Sequence, residues 1–143
     1  MRFKNKVVVV TGGAHGIGQA IVEDFRKEGA VVEVIDKTPG TYFVGDIGNK
    51  EILEAFSSDV LEKHSYIDFL IDNALPIMKG TDECSDEEFQ YALSVGVTAP
   101  FYLTKLFKDL FNKDAVIVNI SSSRDRMSQD NTESYTAAKG GIA

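Results

Sequence analysis

The sequence predicts an α/β fold, a doubly wound parallel sheet with helices on both faces, and three observations carry that prediction. Short runs rich in β-branched residues alternate with amphipathic stretches along the whole chain. The first run, Val7 to Val10, is apolar without alternation, as a strand buried on both faces is. Every run ends on small or polar residues, and in an open sheet of this class ligands bind outside those carboxyl ends.

The elements follow in order. Residues 6–11 (KVVVVT) form the first strand. Residues 16–28 then carry Ile17, Ile21, Val22 and Phe25 on one helical face, and Gly29 supplies the stop. Residues 31–36 are the second strand and, after the turn KTPGT, residues 42–47 are the third. Parallel neighbours normally need a crossover of about a dozen residues, so this brief connection implies a crossover helix reduced to a turn. Residues 49–64 form a helix with Ile52, Leu53, Phe56, Val60 and Leu61 inward, and residues 66–73 form the fourth strand. A long helix follows from about Ser85 to Phe111, with Val95, Val97, Phe101, Leu103, Leu106 and Phe107 as its apolar stripe. Ser85 and Glu88 have the spacing of a capping box, and Asp86 and Glu87 suit the positive end of the dipole. Residues 115–121 are the fifth strand, and a polar loop leads to a helix beginning near Tyr135.

Composition narrows the function classes. The 143 residues, 43% hydrophobic and 26% charged, suffice for one domain with one core. A net charge of −7 without a basic run argues against a nucleic-acid partner. Cys84 is the single cysteine, so neither an internal disulfide nor a cysteine-based metal cluster is expected, and His15 and His64 alone make no metal site. No apolar stretch is long enough to span a bilayer, so no membrane partner is expected. The opening residues MRFKNK run into a strand without the apolar stretch of a signal peptide, so a cytoplasmic location follows by default.

The polar strand ends carry chemistry. TGGAHGIG, residues 11–18, places four glycines between the first strand and the first helix. Gly12 suits the tight turn, Gly16 close approach of a ligand to the backbone, and Gly18 close packing of helix on strand. A phosphate at such a helix N-terminus meets unpaired N–H groups and the positive end of the dipole. Asp36, at the end of the second strand, stands where a carboxylate accepts ribose hydroxyls and repels a 2′-phosphate, which favours NAD over NADP. Tyr135 and Lys139 are four apart on a helix and share a face, and of the five tyrosines only Tyr135 has such a lysine. Ser122 lies directly off the fifth strand. A free phenol titrates near pH ~10, and a neighbouring ammonium favours its phenolate, which makes Tyr135 a candidate proton acceptor.

These residues resemble the short-chain dehydrogenase/reductase family along the whole chain. TGGAHGIG is similar to its T-G-x-x-x-G-x-G cofactor motif, GDI (45–47) to its adenine-contacting segment, and DNA (72–74) to its N-N-A-G motif. NISSS (119–123) and YTAAK (135–139) are similar to its catalytic serine and its Y-x-x-x-K pair. The resemblance implies a Rossmann-type sheet whose five strands here are the N-terminal part of a larger one, so residues 1–143 form an NAD(P)-binding domain incomplete at its C-terminus. It implies an NAD-dependent enzyme acting on a small alcohol or carbonyl substrate. Tyr135 is then the acid/base, Ser122 orients the substrate oxygen, and Lys139 favours the phenolate and holds the nicotinamide ribose. The expected cofactor contacts are Gly12, His15, Gly16, Ile17, Gly18, Asp36, Asp46, Ile47, Asn73, Ala74, Tyr135 and Lys139. Taken by itself, His15 reads as a solvated loop residue, and Arg124 and Arg126 as a solvated charged loop. The long helix forms a dimer seam in the family, so a homo-oligomer, dimer or tetramer, is expected. The sequence departs from the family pattern at Asp72, Leu75 and Gly96, which replace an asparagine, a glycine and the asparagine of a proton relay. Gly96 and Leu75 keep an alternative open: a dinucleotide-binding sensor or scaffold without catalysis.

Overall fold

The computed structural model describes residues 1–143. Five strands, β1 (Val7–Thr11), β2 (Val31–Asp36), β3 (Phe43–Val44), β4 (Ile67–Asp72) and β5 (Phe111–Asn119), form one sheet in the order β3-β2-β1-β4-β5. Every pair is parallel. The helices are α1 (Gly16–Lys27), α2 (Lys50–Lys63), α3 (Asp86–Leu93), α4 (Ala99–Phe107) and α5 (Glu133–Ile142).

The unbroken valine run of β1 is explained by its central place. Successive side chains point to opposite faces of a strand. Val8 and Val10 pack with Val32, Val34 and Ile71 against Val22 of α1. Val7 and Val9 pack with Ile35, Ile67 and Leu70 against Leu53, Phe56 and Val60 of α2 and Leu103 and Phe107 of α4. Phe56 and Phe107 are fully buried and meet edge to face at 6.3 Å between centroids. Burying side chains of this size contributes about 1.5–3 kcal/mol each, so this layer holds α2 and α4 to the sheet. No helix is long and apolar enough to cross a membrane.

Local signals end the elements as expected at several points. Gly29 adopts φ +90, and the bonds from Gly29 N–H to the Arg26 carbonyl and from Ala30 N–H to the Phe25 carbonyl close α1 in a Schellman motif. Asn49 caps α2 by accepting from the N–H groups of Glu51 and Ile52. Ser85 and Glu88 form the capping box of α3. The β2–β3 link is a turn, and the two strands are parallel neighbours.

Elsewhere the structure differs from expectation. β3 has two residues rather than six, because the chain leaves the sheet after Val44 toward α2. The long helix is three pieces: α3, a π-helical segment at Ser94–Thr98, and α4. Pro100 has no N–H to return to the preceding turn, and Gly96 weakens helical preference within it. Phe111 pairs with Ile67 as the first residue of β5 instead of ending a helix. Ile17 is 65% exposed, in the first turn of α1 where that helix overhangs the strand ends. Leu61 is also exposed, at the flank of the stripe Leu53, Phe56 and Val60. β5 is an outer strand here, and Val116, Ile117 and Val118 on it are exposed.

Candidate functional site

All five strands point their carboxyl ends to one edge, and the turn after β1 is knitted to the end of β4 there. Gly12 takes φ +68, a conformation that disfavours any side chain, and donates its N–H to the Ile35 carbonyl. The Asn73 amide donates to the carbonyls of Thr11 and Gly12 at 3.2 and 2.8 Å. Thr11 Oγ1 accepts the N–H groups of Asn73 and Ala74. A Cβ on Gly18 would lie 2.0 Å from the Gly12 carbonyl oxygen and 2.4 Å from the Asn73 amide nitrogen. Only glycine lets α1 start this close to β1.

The start of α1 differs from the starts of α2 and α3. It has no side-chain cap and no acid in its first turn. Asn49 and Glu51 serve those roles in α2, and Ser85 with three acids in α3. The first N–H groups of α1 therefore meet whatever enters the cleft, at the positive end of the dipole. Gly16 has φ +53, and nothing stands within 4 Å of where its Cβ would be. Donors, charge and free space together fit a phosphate.

A cleft of about 390 Å³ opens in front of this turn. Gly12, His15, Gly16, Ile17, Gly18, Asp36, Asp46, Ile47 and Asn73 line it, all residues expected to contact a cofactor. Ala74, Tyr135 and Lys139 lie outside it. Ala74 instead packs against Gly12, whose Cβ would meet its Cα at 2.7 Å. Ile17 faces the cleft mouth. Leu75 is on the cleft wall and 69% exposed, so it is not held by core packing.

Asp36 spans the two turns that bound the cleft. Its Oδ2 accepts the Ala14 N–H at 3.0 Å and its Oδ1 the Thr38 N–H at 2.9 Å. Burial works against the charged form, but these bonds from Thr38 and Ala14, helped by His15, hold the carboxyl below its usual range. His15 Nε2 lies 3.3 Å from Thr38 Oγ1. Thr38 and Tyr91 are cleft residues that sequence reading missed. A tyrosine on the inward side of α3, whose hydroxyl must find a partner when half-buried, was the available signal.

The other end of the edge gathers the remaining candidates. Ser122 caps a short 3₁₀ turn at Ser123–Asp125, its Oγ accepting the Arg124 N–H at 3.2 Å, which leaves the hydroxyl hydrogen free. α5 packs against that turn and against the π-helical segment. Lys139 is 5% exposed, and its Nζ donates to the Ile120 carbonyl at 2.5 Å, two residues before Ser122. The same Nζ lies 5.6 Å from the centroid of the Tyr135 ring. Burial lowers the pKa of this ammonium. Tyr135, Lys139 and Ser122 thus share one end of the sheet.

The departures at positions 72 and 96 have different structural meanings. Asp72 ends β4 between Thr11 and Asn119 in register, 6% exposed, with neither carboxylate oxygen hydrogen-bonded. Burial pushes its pKa up to about 7. Gly96 is a packing residue: a Cβ there would meet the Ala138 Cβ at 2.7 Å, between the π-helical segment and α5.

Comparison with known proteins agrees with the fold. Residues 6–143 match the family model described as short chain dehydrogenase. The chain is 33% identical over 156 aligned positions to L-fucose dehydrogenase of Mus musculus, covering 99% of this chain and 57% of the mouse protein. It superposes on an apo SCOR enzyme from Clostridium thermocellum with a TM-score of 0.88 and 38% identity, covering 96% of this chain and 62% of the other. A metagenomic short-chain oxidoreductase in complex with NADP shares the fold, with a TM-score of 0.89 at 24% identity, covering 99% of this chain and 72% of that one. The chain thus spans about three-fifths of the length of the mouse and Clostridium proteins.

Proposed function

The chain belongs to the short chain dehydrogenase family, and from that membership we propose that residues 1–143 act as the NAD-binding domain of an oxidoreductase for an alcohol or carbonyl substrate. The observation that carries the reading is the neighbourhood of Lys139 and Tyr135 on α5, packed beside the turn that Ser122 caps. The open glycine turn lies on the same sheet edge.

A nicotinamide dinucleotide supplies, when bound, a ring that accepts or returns hydride. The uncapped start of α1 holds its phosphates, and Asp36 takes the adenosine ribose. The Asp36 carboxylate supports NAD, because it repels a 2′-phosphate. In oxidation, Tyr135 takes the hydroxyl proton of the substrate as the carbon gives up hydride; in reduction, it returns that proton to the carbonyl oxygen. Ser122 turns its free hydroxyl hydrogen to the same oxygen. Lys139, whose Nζ lies 5.6 Å from the centroid of the phenol ring, holds the nicotinamide ribose beside it.

The test is NADH turnover by the whole protein across a panel of carbonyl compounds, with NADPH in parallel. Tyr135→Phe is expected to lower kcat by about 10²–10⁴-fold with little change in dinucleotide affinity. Full activity in that variant refutes the assignment. A second reading, a dinucleotide-binding sensor or scaffold, is favoured by Gly96, whose close packing leaves no room for the relay asparagine. Stoichiometric NADH binding without turnover on any compound would select it. Phe101, 70% exposed on α4, supports self-association through that helix, which sedimentation of the protein and of Phe101→Glu would reveal.

A further inference from the structure

Tyr91 sits on α3 at the part of the cleft formed by Asp46 and Ile47. Its hydroxyl oxygen lies 2.8 Å from Oδ1 and 2.7 Å from Oδ2 of Asp46, so one phenolic hydrogen is shared by both carboxylate oxygens. The Gly48 N–H donates to Oδ1 at 2.8 Å. The phenol ring rests against Gly48 so closely that a Cβ there would meet ring carbon Cε2 at 2.5 Å. The backbone thus holds the ring, and the ring's hydroxyl holds the carboxylate. Oδ1 receives two donors, whereas Oδ2 receives only the shared one. An ionised carboxylate has about four lone-pair sites, so Oδ2 keeps accepting capacity at the cleft wall. Burial, together with the hydrogen bond and negative charge of Asp46, raises the pKa of the Tyr91 phenol. The phenol therefore keeps its hydrogen at neutral pH and donates it to Asp46.

We propose that Tyr91 is a positioning residue for cofactor recognition: it fixes the Asp46 carboxylate as an acceptor-only group, which selects a purine bearing an exocyclic amino group. The inference rests on the dinucleotide reading above. A purine with a carbonyl in place of the amino group sets an acceptor against an acceptor. Mismatches of that kind leave buried polar groups unpaired, which is the most discriminating error a binding site can reject. Removing the phenol hydroxyl frees the carboxylate to turn away, and the discrimination falls.

The test compares binding of NADH with that of reduced nicotinamide hypoxanthine dinucleotide, which differs only in that amino group, by nucleotide fluorescence. The whole protein and Tyr91→Phe are measured; the substitution keeps the ring against Gly48. The unsubstituted protein is expected to prefer NADH about tenfold or more, and Tyr91→Phe to lose at least about half of that preference on a logarithmic scale at an unchanged melting temperature. Ultraviolet titration gives a readout without cofactor: Asp46→Asn moves one late-ionising tyrosine toward the ordinary phenol range. An unchanged base preference in Tyr91→Phe overturns the positioning role and leaves the dinucleotide reading intact. Failure of the unsubstituted protein to bind either dinucleotide overturns both.

Discussion

Asp72 shows how far one side chain can depart from its surroundings. It is a carboxyl at the end of a central strand, sealed from water and without a hydrogen-bond partner. An unpaired buried charge is costly, so the group holds its proton up to a pH of about 7. In the unfolded chain the same group titrates near ~3.9. The folded pKa lies above the unfolded one, so the contribution of Asp72 to stability is fully present below about pH 4 and is lost as the pH rises through about 7. Urea denaturation across that window is expected to show the unsubstituted protein losing about 2–4 kcal/mol relative to Asp72→Asn. Parallel pH dependences in the two proteins would show that Asp72 is not the group responsible. Asp36 and Asp68 act in the opposite direction, because N–H and ammonium donors hold their carboxyls below the usual range against burial. The comparison with the Asp72 variant cancels their contribution.

At the scale of elements, the contact between the π-helical segment and α5 sets the position of Tyr135 and Lys139. Gly96 presents a bare backbone to Ala138, which is fully buried. Adding a side chain at position 96 must push α5 outward, and overpacking of this kind costs about 1–3 kcal/mol. Gly96→Asn, which restores the family residue, is expected to lower stability by that amount in urea denaturation. It is also expected to lengthen the contact between Lys139 and the Ile120 carbonyl. A variant as stable as the parent would mean that α5 has room that the contact distance denies. The same sensitivity explains Gly18, where α1 meets the turn after β1. Both glycines are needed for what they allow to come near, whereas Gly12 and Gly29 are needed for their positive φ.

The whole molecule is a sheet with its most buried strands at the centre and its candidate ligand edge at one end. β1 and β4 pair on both sides, whereas β3 has two residues and β5 an exposed outer edge. Amide hydrogen exchange is expected to be slowest in β1 and β4 and fastest in β3, since local opening follows burial and pairing. A ligand that bridges the β1 turn, Asp36 and Asp46 ties β1, β2 and the β3–α2 link together. NAD at about a hundredfold excess over its Kd is expected to stabilise the fold by about 2.7 kcal/mol, a rise on the order of 10 °C in Tm. NADP is expected to raise Tm less, because the proposed site sets the Asp36 carboxylate against its added phosphate. An equal or larger shift with NADP would overturn the preference argued from Asp36.

Much of this arrangement was legible in the chain itself. The valine run, the Gly29 stop, the Ser85 capping box and the order of strands and helices follow from side-chain periodicity and local backbone demands, which act between residues near in sequence. The glycine turn, Asp36 and the Tyr135–Lys139 pair were legible for the same reason, since each lies within a single element or at its end. The break at Ser94–Thr98 was less so, because Pro100 and Gly96 weaken a helix without deciding between a kink, a stop and a π-turn. The bond between Tyr91 and Asp46 joins residues 45 apart, and the neutralising burial of Asp72 depends on helices packed over the sheet from elsewhere in the chain. Hydrogen-bond partners and solvent exclusion across such separations are properties of the packed molecule. The sequence by itself therefore determined the fold class and the set of candidate groups at the strand ends, and the tertiary structure alone decided which buried groups face one another and which are left without a partner.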